Sequence, residues 1–191
     1  FDFLGRQFLI RETQEKDLPA ITTIINSAYK MWNSIGFDKA NETPDSIKPF
    51  ALKDGHVVCD VEGKIIAAFN MRPIQPSCEN GILSVSRAHK MDRSVLDESV
   101  ITEKELLSFN LIYFYGLCVD PEYAQSGLGK TLFEVREKFA RDNHFQGILF
   151  ETGRDAKWLV EWYQRLGFVI IGNSNESICP LPLIMMLKKL T

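Results

Sequence analysis

Residues 111–131 constrain the fold of this 191-residue chain more strongly than any other segment. The segment begins with an apolar, β-rich run over residues 111–119, which stops at Asp120 and Pro121, and a periodic helix starts near Leu128. A strand, a loop with glycines and a helix in this order present backbone N–H groups to a phosphate, because glycine lets the backbone come close and the helix N-terminus carries partial positive charge. The segment therefore predicts a site for a nucleotide or a nucleotide-like cofactor.

The bulk properties of the chain predict one domain over residues 1–191. The net charge of −3 and the pI of about 5.7 give no reason to expect a nucleic acid or an acidic membrane surface as a partner. The apolar run at residues 181–187 is far shorter than the roughly 20 residues that span a bilayer, and residues 1–10 have no basic region or cleavage site of a secretory signal. We therefore expect a cytoplasmic protein with no membrane partner.

The cysteines and histidines do not form a recognisable metal or disulfide pattern. The four cysteines are widely separated and include no CxxC pair, which favours thiols in a reducing compartment. The three histidines show no HExxH spacing. The sequence therefore predicts no metal site.

Hydrophobic periodicity predicts a mixed α/β chain whose first half is largely antiparallel. The predicted strands cover residues 8–11, 56–61, 64–71, 110–119, 147–151, 168–172 and 181–187, and the predicted helices cover residues 18–32, 128–143 and 156–166. Two shorter helices are expected, one after Thr43 and Pro44 and one near residues 103–109. Residues 82–108 are polar and irregular, and their length predicts an insertion or a lid.

Two kinds of phosphate site fit the glycine-bearing loop. Ala124, Gly129, Lys130 and Thr131 match a relaxed P-loop in which Ala replaces the first glycine, so that Lys130 would contact phosphates and Thr131 would bind Mg²⁺. Too few βα units follow the loop for a P-loop core, and Ala124 lacks the conformational freedom of glycine at the first turn. A P-loop nucleotide-binding protein is therefore the weaker hypothesis.

The second kind of site is a coenzyme A pyrophosphate site, and two segments support it. The loop reads Ala124-Gln125-Ser126-Gly127-Leu128-Gly129 after Val119-Asp120-Pro121-Glu122-Tyr123, and a later segment reads Trp162-Tyr163-Gln164-Arg165-Leu166-Gly167-Phe168. In both segments the chain resembles the GNAT superfamily of acyl-CoA-dependent N-acyltransferases, whose signatures are Gln/Arg-x-x-Gly-x-Gly/Ala and, downstream, aromatic-Tyr-x-x-x-Gly-Phe. The order of elements agrees over residues 8–191. Ala124 departs from the family, which usually has Gln or Arg there.

The resemblance implies a fold, an activity and a cofactor site. The fold would be a twisted, mostly antiparallel sheet of about seven strands flanked by helices, with a bulge at Gly116 that splays the strands at the cofactor cleft. The activity would be acetyl-CoA-dependent transfer of an acetyl group by direct attack of a primary amine of a small molecule or peptide. The implied cofactor-binding residues are Leu117, Cys118, Val119, Gln125, Ser126, Gly127, Leu128, Gly129 and Lys130. By analogy with relatives, we expect a homodimer.

The resemblance also suggests roles for individual side chains, each with a structural alternative. Tyr163 would protonate the departing thiolate, or would instead pack its helix against the sheet. Glu151 is the candidate base, with Asp155 as a neighbour that could simply cap the next helix. The acceptor pocket would include Tyr29, Trp32 and Phe37, which could also be packing residues. A non-catalytic acyl-CoA-binding module is the main alternative function.

Overall fold

The computed structural model describes residues 1–3, 5–30, 41–84, 90–92, 96–173 and 182–190. The helices are α1 (Leu18–Tyr29), α2 (Pro44–Asp54), α3 (Glu103–Ser108), α4 (Leu128–Asp142) and α5 (Lys157–Arg165). The strands are β1 (Asp2–Phe3), β2 (Arg6–Gln7), β3 (Leu9–Glu12), β4 (Gly55–Cys59), β5 (Ile65–Ile74), β6 (Ser77–Glu79), β7 (Ile82–Ser84), β8 (Lys90–Asp92), β9 (Leu111–Val119), β10 (Gly147–Gly153), β11 (Val169–Asn173) and β12 (Leu183–Lys189).

The main sheet has seven strands in the order β11-β12-β10-β9-β5-β4-β3. The pairs β3–β4, β4–β5, β10–β12 and β11–β12 are antiparallel, and β9–β10 is parallel. This architecture confirms the predicted mixed, mostly antiparallel sheet of about seven strands. The described chain divides into two compact units, Phe1–Met71 with Phe114–Arg136 and Arg72–Tyr113 with Glu137–Thr191.

The first unit has a hydrophobic cluster on each face of its strands. Successive side chains of a strand point to opposite faces, and neighbouring residues such as Val57 and Val58 accordingly belong to different clusters. One cluster packs against α1, whose apolar residues follow helical spacing, and against α2. The other cluster includes Leu128 and Leu132, the buried residues at the start of α4. The core therefore anchors the helix that begins at the glycine-bearing loop.

Helix α2 begins where the sequence predicts it and is longer than expected. Thr43 is its N-cap: the Thr43 hydroxyl accepts a hydrogen bond from the Ser46 N–H at 3.2 Å, and the Thr43 N–H donates to the Ser46 hydroxyl at 2.9 Å. Pro49 lies inside the helix, although proline in a helix interior usually removes a backbone hydrogen bond. The helix ends at Asp54, directly before strand β4.

The second unit corrects the prediction of an irregular segment after residue 82. Strands β6, β7 and β8 form a small antiparallel sheet of their own. Helix α3 follows with Thr102 as its N-cap, as the sequence predicts near residues 103–109. The unit also contains the antiparallel strands β10, β12 and β11. Residues 85–89 and 93–95 of the expected insertion lie outside the described residues.

A buried arginine stabilises the first unit next to strand β9. Arg136 is 1% exposed, and its guanidinium carbon lies 4.0 Å from the centroid of the Phe114 ring and 4.8 Å from that of Phe69. The Arg136 Nη2 donates a hydrogen bond of 3.1 Å to the backbone oxygen of Asn70. The cation–π contacts and this hydrogen bond replace part of the water that the charge loses on burial.

Gly116 has a left-handed backbone in the middle of β9. Its φ is +62°, in the region that favours glycine, and a Cβ at this position would lie 2.6 Å from the Asn70 Nδ2. The φ value supports the predicted interruption of the strand at Gly116. Both the backbone angle and the close approach of Asn70 therefore require glycine here.

We expect Gly116→Ala to lower the free energy of unfolding by about 1–3 kcal/mol, because alanine is strained at this φ and its methyl group collides with Asn70. Urea denaturation of both proteins at one pH measures the difference. Gly129→Ala is the matched control, because a Cβ at Gly129 has no atom within 4 Å. Equal stability of Gly116→Ala and the wild type would contradict the strain argument.

Candidate active site

The loop after β9 is held by backbone and side-chain hydrogen bonds. The Asp120 N–H donates to the Ile66 oxygen at 2.8 Å, which fixes the end of β9 against β5. The Asp120 carboxylate accepts from the Glu122 N–H at 3.0 Å and caps a short 3₁₀ turn over Pro121–Tyr123. The loop that leads into α4 therefore starts from a fixed position.

The loop leaves several backbone N–H groups without an internal acceptor. The Leu128 N–H is capped by the Ser126 hydroxyl at 3.3 Å, and the Thr131 N–H donates to the Gly127 oxygen at 3.1 Å. In the described part of the chain, the other N–H groups of the loop and the first turn of α4 have no hydrogen bond; they belong to Gln125, Gly127, Gly129 and Lys130. Clustered donors of this kind at a helix N-terminus fit a pyrophosphate.

The backbone angles and the free space at the glycines support the same conclusion. Gln125 and Gly127 have φ values of +60° and +93°, which turn successive N–H groups in the loop. A Cβ at Gly129 would meet no atom within 4 Å, so an anion can approach the helix terminus there. The Lys130 ammonium lies 3.5 Å from the Glu134 carboxylate in an exposed pair, and such pairs hold their partners weakly.

The strand segment before the loop offers its backbone rather than a reactive side chain. Leu117 and Val119 pack against one cluster of the first unit, whereas Cys118 belongs to the cluster on the other face. Cys118 is buried, and its thiol donates to the Ala68 oxygen at 3.5 Å. Strand β9 pairs with β10 only through the residues Leu111, Ile112 and Tyr113.

In the second unit, Tyr163 lies on α5 among aromatic rings. Its ring centroid is 4.3 Å from that of Phe150 and 6.3 Å from that of Phe168, and the side chain is partly exposed. Its backbone oxygen accepts hydrogen bonds from Leu166 and Phe168, and Gly167, with a φ of +89°, ends the helix as predicted. The ring is therefore held in one orientation by packing.

Glu151 lies on β10 and is partly buried. Its carboxylate accepts a long hydrogen bond of 3.4 Å from the Tyr113 hydroxyl. The guanidinium carbon of Arg72 lies 5.7 Å from the centroid of the Tyr113 ring. Asp155, by contrast, is exposed and does not cap α5, because the N-cap residue is Ala156 and no side chain bonds the first turn. The capping prediction for Asp155 is therefore wrong.

Only one of the expected acceptor-pocket residues is described. Tyr29 is partly buried against the cluster that includes α1 and α2. Trp32 and Phe37 lie outside the described residues.

A polar group that the sequence did not indicate lies in the first unit. The Tyr115 hydroxyl donates a hydrogen bond of 2.6 Å to the carboxylate of Asp54, the last residue of α2. Asn70 is 7% exposed and lies against Gly116, the residue after Tyr115. His56 stacks on Phe69 with ring centroids 5.3 Å apart. In the sequence, this polar group is indicated only by two neighbours of glycines: Asp54 precedes Gly55, and Tyr115 precedes Gly116.

A family model for the GNAT acetyltransferases matches residues 18–168. The chain belongs to this family. Human N-acetyltransferase 8 is 30% identical over 79 residues, which are 41% of this chain and 32% of that protein. The chain thus matches about a third of the length of this curated relative.

Solved structures of GNAT proteins share the fold over nearly the whole chain. A GNAT-family acetyltransferase from Listeria monocytogenes has a TM-score of 0.66 and 17% identity, and the match covers 100% of this chain and 99% of that one. The PaiA N-acetyltransferase of Thermoplasma acidophilum, solved in complex with coenzyme A, has a TM-score of 0.59 and 14% identity over 96% of this chain and 99% of that one. These identities establish a common fold only.

Membership of the GNAT family decides between the two phosphate sites. GNAT proteins use acetyl-CoA, so the family assignment favours coenzyme A over a P-loop nucleotide as the cofactor. The mostly antiparallel sheet agrees, because P-loop cores are built from parallel βαβ units. The P-loop hypothesis, with its roles for Lys130 and Thr131, is therefore rejected.

The described cysteines of the GNAT chain are thiols. Cys59, Cys78 and Cys118 are not in disulfides, and Cys179 lies outside the described residues. Within the described ranges, no cluster of His, Cys, Asp and Glu could hold a metal ion. In the same ranges, no helix is long and apolar enough to cross a membrane.

His56 is expected to make the stability of this GNAT protein depend on pH. Its pKa is lowered chiefly by burial; the Arg136 charge adds to this effect, whereas a hydrogen bond to the Asp54 backbone and the charges of Glu12 and Asp54 oppose it. Protonation is therefore less favourable in the folded state than in the unfolded state, where a histidine pKa is about 6.5. Stability should fall as the pH drops through about 6.5 towards the lower folded pKa.

Urea unfolding at about pH 7.5 and about pH 5 measures this dependence. We expect the wild type to lose more stability between the two pH values than His56→Gln does. His144→Gln is the control, because His144 is exposed, and it should behave like the wild type. An equal loss in the wild type and His56→Gln would contradict the prediction.

Proposed function

We propose that residues 1–191 form one N-acetyltransferase domain that transfers an acetyl group from acetyl-CoA to a primary amine of a small molecule or peptide. The main support is the set of backbone N–H groups from Gln125 to Lys130 that have no acceptor within the described chain. Residues 82–108 would be an insertion of this domain. The cytoplasmic location and the homodimer remain predictions.

In this proposal, the cofactor is held mainly by the main chain. The N–H groups of Gln125, Gly127, Gly129 and Lys130 would bind the pyrophosphate, so the unusual Ala124 would weaken the site without abolishing it. The backbone of residues 117–119 would pair with the pantetheine arm as an added strand. The N–H of Cys118 or Val119 would polarise the thioester carbonyl. Ser126 and Leu128 would support the site as the cap and the buried anchor of α4.

Acetyl-CoA supplies an acetyl group that is activated as a thioester. The protein's side chains would manage the protons of the reaction. Tyr163 would donate a proton to the leaving sulfur, since a tyrosine hydroxyl is protonated near neutral pH. Glu151 would accept a proton from the amine, with the Tyr113 hydroxyl orienting its carboxylate. Tyr29, Trp32 and Phe37 would line the acceptor pocket.

The cofactor site is tested by calorimetric titration with acetyl-CoA and, separately, with Mg-ATP. We expect micromolar binding of acetyl-CoA and no binding of Mg-ATP. Gly129→Val should weaken acetyl-CoA binding at least tenfold, or about 1.4 kcal/mol, because its side chain would occupy the space in front of the N–H groups.

Lys138→Ala, on the same helix but in an exposed ion pair with Asp142, is the control and should bind like the wild type. Unchanged binding by Gly129→Val would reject the proposed position of the pyrophosphate. No acetyl-CoA binding by the wild type would reject the proposed function as a whole.

The role of Tyr163 is tested by Tyr163→Phe. We expect kcat to fall by about 10²–10⁴-fold, the usual contribution of an acid catalyst, while the acetyl-CoA Kd stays the same. Trp158→Phe controls for an aromatic change on the same helix, because Trp158 is exposed. Steady-state transfer assays with a panel of primary amines measure these effects. A wild type that binds acetyl-CoA but acetylates no amine would favour the non-catalytic binding module instead.

A further inference from the structure

Three polar residues of the first unit lie at or beside neighbours of Gly116, the left-handed residue of β9. The Tyr115 hydroxyl donates to the Asp54 carboxylate at 2.6 Å. The Asn70 amide lies against Gly116, the next residue along β9. Strand pairing places Asn70 opposite Gly55, which directly follows Asp54. The three side chains therefore come from the end of α2, from β5 and from β9.

The position of Asp54 favours a positively charged ligand. Asp54 is the last residue of α2, and the C-terminal end of a helix carries partial negative charge from its unpaired carbonyls. A carboxylate there is unfavourable for the helix and adds to the negative potential. The hydrogen bond from Tyr115 keeps this carboxylate in place. A cation is the natural complement of such a position.

Asn70 provides independent support. Its side chain is buried, with only 7% of the residue exposed, and it makes no side-chain hydrogen bond to any residue that the structure describes. The backbone of Asn70 is fixed by the Arg136 guanidinium, so the amide remains at Gly116. An amide kept in this state is suited to bind a ligand.

We propose that Asp54, Tyr115 and Asn70 form the recognition site for the ammonium group of the acceptor. This inference rests on the proposed function, in which residues 117–119, the segment right after Gly116, hold the acyl arm. The preferred acceptors are then alkylamines that are cations at neutral pH, rather than nitrogen nucleophiles that are uncharged.

The chemistry of the three groups matches an ammonium ion. A primary ammonium has three N–H donors and no acceptor. The Asp54 carboxylate, the Tyr115 hydroxyl oxygen and the Asn70 amide oxygen are three acceptors of different types. Burial lowers the pKa of the nearby His56, which favours its uncharged form, whereas the Arg136 charge at the Asn70 backbone oxygen opposes a cation. The site would bind the ammonium before the amine loses its proton and attacks.

The test compares two acceptors of nearly equal shape. n-Butylamine is an ammonium ion at pH 7, whereas the nitrogen of O-propylhydroxylamine is weakly basic and uncharged. We expect the wild type to have at least a tenfold higher kcat/KM for n-butylamine. Asp54→Asn should raise the KM for n-butylamine at least tenfold and leave the KM for O-propylhydroxylamine and the Kd of acetyl-CoA within about twofold. Tyr115→Phe and Asn70→Ala should reduce the preference by smaller factors.

Asp142→Asn is the matched control, because Asp142 is also the last residue of a helix but is exposed and paired with Lys138. It should keep the wild-type preference. Thermal unfolding and acetyl-CoA titration show whether each variant is folded. The inference is overturned if the wild type uses both acceptors equally, if Asp54→Asn loses both equally, or if the wild type binds acetyl-CoA but uses neither. If the wild type does not bind acetyl-CoA, the proposed function itself is rejected.

Discussion

The left-handed backbone of Gly116, with the Asn70 amide beside it, is the constraint on which the proposed site depends. A Cβ at Gly116 would lie 2.6 Å from the Asn70 Nδ2, and the φ of +62° interrupts the extended backbone of β9. Before this residue, Tyr115 reaches the end of α2 through Asp54. After it, residues 117–119 continue to the loop and to α4. Gly116 therefore separates Tyr115, which bonds Asp54, from the segment whose backbone would pair with the cofactor.

Arg136 bonds the backbone of Asn70, the residue beside Gly116, and packs against aromatic rings of the first unit. Its guanidinium lies among Phe69, Phe114 and Phe133, and it donates to the backbone oxygen of Asn70. A buried charge is costly unless it is surrounded in this way, so the rings and the backbone oxygen must keep their positions. The same helix that carries Arg136 begins with the N–H groups of the proposed pyrophosphate site. Helix α4 thus has a structural role at Arg136 and a binding role at its N-terminus.

The features that were predicted from sequence are those that arise from local chemistry. Gly167 ends a helix because its φ is positive, a helix begins after Thr43 as expected, and the loop before α4 exposes N–H groups because of its glycines. The cluster of Asp54, Asn70 and Tyr115 was not predicted, because its members are distant in sequence and meet only through strand pairing. Strands β6 to β8 were missed because they are only three residues long, and Asp155 was assigned a cap that Ala156 occupies.

The same difference distinguishes the two binding sites of the proposed reaction. The cofactor site would consist of neighbouring main-chain groups, whereas the acceptor site would consist of side chains that are distant in sequence. A main-chain site for a pyrophosphate would tolerate side-chain changes, so Ala124 would be compatible with the proposed site. An acceptor site made of side chains depends on each of them, so a change at Asp54 or Asn70 alters which amine is recognised without changing the fold that holds acetyl-CoA. In this proposal, acceptor preference depends on Asp54, Asn70 and Tyr115, which are distant in sequence, rather than on the loop before α4.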